Sequence, residues 1–390
     1  MKIRVCHIIT KLELGGAQQN TLYTVSHLDR ERFEPVLICG TGGILNGDAK
    51  DMKGVRVHFV PSLVRSIHLF KDPAALFLIR SILKRENPEI VHTHSSKAGI
   101  LGRWAAFLAG IPVIIHTIHG FGFHNEQTFL KRWLFVTLER FTSLITTQFI
   151  AVSRDNVRTG SRHGILLEEK TELIRSGIRL SDFSSSKEED GREFRKREKI
   201  PLTVPLIGMI GCLKPQKAPL DFVRIAAEVM KGTPDAYFVI AGDGELKAEV
   251  ENEIRKRKLG ERFLLLGWRR DIPALMRAVD VLVLPSLWEG LPRVIPEAMA
   301  SGKPVVVTAI DGATDIVRDG ENGFLIAPHD IGGFASRISL LLKGKALTEK
   351  FSRNSADLLD EFDIDRMVGK QEALYSSLMA IHRDYRAGSS

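Results

Sequence analysis

Glu289 and Glu297 lie eight positions apart in the segment Ser286-Leu-Trp-Glu-Gly-Leu-Pro-Arg-Val-Ile-Pro-Glu-Ala-Met-Ala300. The two carboxylates flank a glycine–proline turn that follows Val281–Pro285, an apolar run with the pattern of a buried strand. Pro296 suits the first position of a helix, where its missing N–H would have no partner. This spacing puts Glu289 on a loop and Glu297 in the first turn of a helix. Open backbone N–H groups and the helix dipole at such an end favour an anion. Carboxylates that accept hydroxyl hydrogen bonds, beside amides that hold phosphate, suit a nucleotide sugar. The spacing by itself also fits a strand–loop–helix carrying two solvated acids.

The elements that must position these acids are legible as short β-branched runs alternating with amphipathic stretches. The runs of the first half are Ile3–Thr10, Pro35–Gly40, Val55–Val60, Ile90–His94, Val113–His119, Phe149–Ser153 and Leu173–Ile178. Those of the second are Leu206–Leu213, Tyr237–Ala241, Phe263–Gly267, Val281–Pro285, Val305–Ile310 and Phe324–Ala327. Such alternation predicts an α/β protein with parallel sheets covered on both faces. Each half opens alike, Ile3–Thr10 leading into Leu14-Gly-Gly-Ala-Gln18 and Leu206–Ile210 into Gly211-Cys-Leu-Lys-Pro-Gln-Lys217. Two facing Rossmann-like, doubly wound domains are expected, with ligand held outside the strand carboxyl ends. The predicted division is a first domain over 1–180, a polar linker over 181–200 and a second domain over 201–369. A helix over 370–390 is expected to return to the first domain. Neither glycine loop matches Gly-x-Gly-x-x-Gly, and no Gly-Lys-Ser/Thr phosphate loop follows a strand, which disfavours dinucleotide and P-loop enzymes.

With 390 residues, 44% hydrophobic and 26% charged, the chain has a soluble globular balance and enough length for two domains. Cys6, Cys39 and Cys212 are scattered, which fits buried thiols in a reducing compartment. The apolar stretch at the amino terminus ends at Lys11, too short for a signal-peptide core. A cytoplasmic protein is expected. The net charge of +8 is unevenly spread: residues 1–180 carry 24 Lys and Arg against 15 Asp and Glu, and residues 181–200 balance. A basic half suits nucleic acid, an anionic membrane or a phosphate-bearing substrate, and equally a solvated surface. Aromatic residues make up only 7% and no nucleic-acid motif occurs, so no nucleic-acid partner is expected.

Taken together, Gly15-Gly-Ala-Gln18, His119-Gly120, Gly211 to Lys217, Gly242-Asp-Gly-Glu245, Glu289 to Glu297 with Glu-Ala-Met-Ala300, and Gly302-Lys-Pro-Val305 carry a resemblance. So do Asp311-Gly-Ala-Thr-Asp-Ile-Val317 and Asn322-Gly-Phe-Leu-Ile326. Over nearly its whole length the chain resembles the retaining glycosyltransferases of family 4, which have the two-domain GT-B fold. The resemblance implies that Glu297 accepts hydrogen bonds from the ribose and that Glu289 meets the transferred sugar. It implies that Gly290 and the amides of Leu291, Arg293 and Val294 hold the distal phosphate. Lys217 then neutralises the diphosphate leaving group, and His119 contacts the donor sugar. Gly15 and Gly16 would let backbone approach the diphosphate. Where the family has an arginine after Gly211 this chain has Cys212, and Lys214 is the candidate to supply that charge. Gln18 is given no role, although the family more often has an acid there. His92, His94, His116 and His124 are spaced as strand alternation, not as a metal cage, and Asp363-Ile-Asp365 reads as surface.

The expected activity is retaining, metal-independent transfer of a sugar from a nucleotide diphosphate sugar, uridine favoured, to a hydroxyl of a lipid-linked or polysaccharide-precursor glycan. No cofactor is expected. The basic and aromatic stretch from Phe121-Gly-Phe-His124 through Lys131 to Arg140 is read as a possible contact with anionic membrane or as an amphipathic helix facing the core. A nucleotide-sugar epimerase and an inactive sugar-nucleotide-binding protein remain the alternatives.

Overall fold

Ile3–Ile9 and Val113–Ile118 are mostly apolar and almost wholly buried because helices cover both faces of the sheet they enter. The computed structural model of the protein describes residues 2–123 and 127–387; His124 lies outside them. The chain divides into two compact units, Met1–Gly177 with Ile364–Ser390, and Ile178–Asp363.

The first unit runs β1 (Ile3–Ile9), α1 (Gly16–His27), β2 (Phe33–Cys39), α2 (Asn46–Lys50), β3 (Arg56–Phe59), α3 (Lys71–Glu86) and β4 (Ile90–His94). It continues with α4 (Ser96–Ala109), β5 (Val113–Ile118), α5 (Phe129–Ser143), β6 (Gln148–Ala151), α6 (Arg154–Arg162) and β7 (Thr171–Leu173). Among the described residues these strands form a parallel sheet ordered β3-β2-β1-β4-β5-β6-β7.

The second unit runs α7 (Leu180–Ser184), α8 (Glu188–Arg197), β8 (Leu206–Ile210), α9 (Pro219–Gly232), β9 (Tyr237–Ala241), α10 (Lys247–Lys256), β10 (Phe263–Leu265) and α11 (Ile272–Ala278). Then follow β11 (Val281–Leu284), α12 (Val294–Ala300), β12 (Val305–Thr308), α13 (Asp311–Thr314), β13 (Phe324–Ile326), α14 (Ile331–Lys343) and α15 (Lys345–Ala356). Its parallel sheet is ordered β10-β9-β8-β11-β12-β13. In each sheet the order reverses beside the first strand, between β1 and β4 and between β8 and β11, and loops at such a reversal are where open α/β sheets take ligands.

Two boundaries differ from the sequence expectation. Residues 181–200 are not a free linker. Helix α8 packs on α11 within the second unit, where Arg195 donates to the carbonyls of Ala278 and Val204 at 2.7 and 2.8 Å and pairs with Asp280 at 2.9 Å. A Cβ on Gly191 would meet the Arg277 backbone at 2.9 Å, so the helix approaches closely. The returning helix α16 (Ile364–Ala387) starts before Gly369, which lies inside it. Its Ile364, Met367, Val368, Leu374, Tyr375 and Met379 join Val5, Phe33, Ile90 and Ile115 in one core cluster, and that burial outweighs the roughly 1 kcal/mol cost of an interior glycine. Asp365, expected on a surface loop, sits in the first turn of α16 and accepts from Tyr23 at 2.6 Å.

Tyr375 is fully buried, and its hydroxyl lies 2.6 Å from His92 Nδ1. Tyr375→Ala should therefore cost about 3–5 kcal/mol in urea denaturation, and Tyr375→Phe about 1 kcal/mol. A loss under about 1 kcal/mol for the alanine variant would contradict the packing of α16 on this sheet.

Candidate functional site

In the second unit the loop after β11 carries Glu289 and leads into α12. Helix α12 begins at Val294, so Pro296 is its third residue and not its first. The position still belongs to the first turn, whose N–H groups have no intrahelical acceptor, so proline costs nothing there. Glu297 follows, its N–H on the Arg293 carbonyl at 3.1 Å. Among the described residues no acceptor faces the N–H groups of Gly290, Leu291 and Val294. These amides are open for an anion.

The loop after β8 is fastened to the loop after β11. Leu287 N–H donates to the Gln216 carbonyl, and the Gln216 side chain donates to the Trp288 carbonyl, both at 2.8 Å. Those two bonds bring Lys217 Nζ into an ion pair with Glu289 Oε1, with the two side chains only 16% and 8% exposed. The Lys217 stem crosses Gly211, whose Cβ position lies 3.4 Å from its Cδ. Two further glycines let this wall close up. A Cβ on Gly242 would sit 2.0 Å from the Gly211 carbonyl oxygen, and one on Gly244 would sit 2.5 Å from that of Leu213. Gly242 also has φ +151°, which favours glycine.

Lys214 is not drawn into this pair. Its side chain makes no ion pair or hydrogen bond among the described residues, and Cys212 beside it is half-buried. The structure thus brings together Lys217, Glu289 and the open amides, and leaves Lys214 apart.

Glu297 sits in a second charged cluster. Arg293 Nη2 lies 3.7 Å from Glu297 Oε1, with both side chains 13% exposed. Burial pushes the Glu297 carboxyl above the usual range, and the nearby Arg293 and Lys217 charges pull it back only in part. Burial likewise pushes the Arg293 guanidinium down, against the attraction of Glu297. Sequence reasoning used only the backbone of Arg293; its place one helical turn before Glu297 was the available signal. Two other residues escaped it. Gly312 is the second residue of α13, and a Cβ there would meet the Gly290 carbonyl at 2.1 Å, so the Asp311-Gly-Ala-Thr segment braces the turn over residues 290–292. Ser286 is buried with no partner for its hydroxyl.

In the first unit Gly15 caps α1 in an extended conformation and Gly16 is the first helical residue. The first turn has no acidic side chain, and the N–H groups of Gly16, Ala17 and Gln18 have no acceptor among the described residues. Gln18, given no role, ties this turn down by donating to the Lys11 carbonyl at 3.2 Å. His119 follows β5 directly, with its Nε2 at 3.2 Å from His94 Nδ1. His7, His92 and His94 are the one group among the described residues whose ligand atoms could surround a metal ion, lying within 4.8 Å of one another.

Helix α5 is not core-facing along its start. Phe129, Leu130 and Trp133 are 83%, 72% and 54% exposed. Ile67, Leu69, Phe70 and Phe77, around the start of α3, are exposed as well. No helix among the described residues is long and apolar enough to cross a membrane.

Residues 190–357 match the family described as Glycosyl transferases group 1, and residues 15–177 match the Glycosyl transferase 4-like domain. The chain is 36% identical over 385 residues to the UDP-Gal:alpha-D-GlcNAc-diphosphoundecaprenol alpha-1,3-galactosyltransferase of Escherichia coli, covering 97% of this chain and 98% of that one. It is 28% identical over 321 residues to the putative glycosyltransferase EpsF of Bacillus subtilis, covering 81% of each. Among solved structures, Anabaena Alr3699/HepE in complex with UDP and glucose superposes with a TM-score of 0.82 at 21% identity, over 96% of this chain and all of that one. Sucrose-phosphate synthase of Thermosynechococcus elongatus gives 0.85 at 19%, over 97% of this chain and all of that one. Two parallel α/β units with nearly full-length matches of this kind are the GT-B architecture, and the chain belongs to the glycosyltransferases of that fold.

Proposed function

We propose that the protein transfers a hexose from a UDP-sugar, with retention and without a metal ion, to a hydroxyl of a sugar carried on a lipid diphosphate at a membrane surface. The observation that carries this reading is the Lys217–Glu289 pair set beside the open amides of Gly290, Leu291 and Val294. A cation and unpaired N–H groups are what a departing diphosphate needs as charge develops on it. Glu297 accepts from the ribose hydroxyls, and in the first unit the open amides at the start of α1 suit an anion as well.

Breaking the sugar–phosphate bond leaves an oxocarbenium-like centre. Glu289 is held by Lys217 and so is a poor nucleophile. Same-face attack by the acceptor hydroxyl, with a donor phosphate oxygen taking its proton, accounts for retention. Choice of UDP and of a lipid diphosphate acceptor draws support from the Escherichia coli relative, whose name gives both. An assay with UDP-hexoses and a GlcNAc-diphosphate-lipid analogue tests the whole: an α-linked product formed equally with and without EDTA is expected. A β-linked product, or loss of turnover in EDTA, overturns retention or metal independence.

Membrane contact draws on the exposed apolar residues. In a parallel sheet each following helix starts at the strand carboxyl edge, so Ile67, Leu69 and Phe70 before α3 and Phe129, Leu130 and Trp133 on α5 lie at the edge that holds Gly15 and His119. Lys71 and Lys131 are exposed beside them without ion pairs among the described residues. Apolar side chains rimmed by cations suit an anionic bilayer. Trp133→Glu combined with Phe129→Glu should cut flotation with anionic vesicles about tenfold or more, by loss of buried apolar area. Equal recovery of wild type with neutral and anionic vesicles at low salt would remove the charge component.

A further inference from the structure

His119 stands at the end of a chain of buried imidazoles. Its Nε2 is 3.2 Å from His94 Nδ1, and His94 Nε2 is 3.0 Å from His7 Nδ1. Strand register builds this line. His7 on β1 is paired with His92 on β4, and His94 with Thr117 on β5, so these residues share one face of the sheet and His119 follows two residues after Thr117. His92 flanks the line, its two nitrogens at 2.6 Å from the Tyr375 hydroxyl and from Thr117 Oγ1. Burial holds His7 down to about 3, and burial with the neighbouring imidazoles holds His94 and His92 well below the usual histidine range. His7, His94 and His92 are therefore neutral at pH 7, with one proton each.

Only two proton patterns satisfy both nitrogen–nitrogen contacts. In one, every ring carries its proton on Nδ1: His7 donates to His94, and His94 donates to His119 Nε2. In the other, every ring carries it on Nε2, and donation runs from His119 inward. The far end decides between them. His7 Nε2 is buried and has no partner. The inward pattern would leave an N–H donor orphaned there, whereas the outward pattern leaves a lone pair, and orphaned buried N–H groups are the rarer in proteins. A metal ion among these rings would have to break the contacts His92 already makes and the bond between His7 and His94.

We propose that His94 and His7 are positioning residues: they form a neutral, directional imidazole chain that keeps His119 in its Nδ1–H form, so that this ring meets the substrate as a hydrogen-bond donor at Nδ1. The inference rests on the reading of His119 as a group that contacts the donor sugar. Such a chain sets the tautomer of the last ring, as the partner of one ring nitrogen fixes the proton on the other. It also orients the ring without placing a charge behind it.

The test uses full-length protein labelled with 15N-histidine. Long-range proton–nitrogen correlations report the tautomer of each ring, with His119 assigned by its loss in His119→Asn. An Nδ1–H signal for His119 and His94 is expected in the wild type. His94→Asn keeps a polar atom where Nδ1 lies, so the His119 tautomer and kcat within about threefold should survive. His94→Phe removes it, and kcat should fall about tenfold, the worth of one hydrogen bond, with KM for the donor unchanged. Thermal melts identify a variant that fails to fold, and the asparagine variant then carries the comparison. An Nε2–H signal for His119 while His119→Ala still abolishes turnover would overturn the imidazole chain and leave the site reading standing. Unchanged turnover in His119→Ala would overturn the site reading and the positioning role with it. Stoichiometric zinc bound by the wild type and lost in His7→Asn would also overturn the chain.

Discussion

Lys217→Met is expected to lower kcat by about 10²–10³-fold while weakening donor binding less than about tenfold. The diphosphate gains negative charge as the glycosidic bond to it breaks, so a fixed ammonium stabilises the transition state more than the bound donor. Only that difference appears in kcat. The lysine is pre-positioned: Gln216 locks its loop to the Glu289 loop, and Gly211 lets its stem cross. The substitution also leaves Glu289, whose side chain is 8% exposed, without its cation, so the variant should melt lower than wild type. The two effects can be separated. Lys217→Met with Glu289→Gln removes the uncompensated charge, and the melting temperature should recover while turnover does not. Recovery of turnover in the double variant would assign Lys217 a purely structural part, as a counter-ion for Glu289. A single variant retaining more than a third of wild-type kcat would remove Lys217 from the leaving-group site. Lys214→Met, by contrast, should change kcat less than about threefold, since nothing in the structure draws that ammonium to Glu289.

The strand–loop–helix around Glu289 and Glu297 was legible because its chemistry is local. A buried apolar run, a glycine–proline turn and two acids lie within twenty residues of sequence. The strand alternation was legible for the same reason. What sequence reading lost was decided by contacts distant along the chain. Helix α8 looks like a solvated linker, since eight of its ten residues are charged and one buried aromatic, Phe194, and one buried arginine do its packing. A guanidinium satisfied by backbone carbonyls is indistinguishable by composition from one in water. Gly369 looked like a boundary because the cluster that holds α16 there is supplied by β1, β2, β4 and β5. The histidine chain was hidden differently. The spacing of His92 and His94 gave the strand face, but His7 joins them only through the β1–β4 register, and register is not written in either strand alone. Cys212 was weighed as a loss of phosphate-binding charge, whereas Arg293, a buried cation beside Glu297, was passed over as a backbone donor.

Glu297→Gln should weaken donor binding about 10–100-fold and leave kcat within about threefold, the loss of charge-assisted acceptance from ribose hydroxyls. Its pH dependence distinguishes this role from a packing role. Burial raises the carboxyl above its ordinary 4.5, with Arg293 and Lys217 opposing. An acid whose folded value is raised binds its proton more tightly when folded, so the cost of ionising it is absent below the unfolded value. That cost grows as pH rises from 4.5 and is complete above the folded value. The donor-free glutamine variant should therefore gain on wild type in thermal melts as pH climbs through this interval, and the difference should then level off. Donor binding runs the other way. Only the carboxylate accepts from both ribose hydroxyls, so wild-type affinity should fall as pH drops through the raised value, while the glutamine variant stays flat. Titrations with UDP and with uridine across the interval separate the ribose contact from the phosphate contacts. The same pH dependence in wild type and variant would mean that protons lost elsewhere govern binding, and Glu297 would then have no part in holding the ribose.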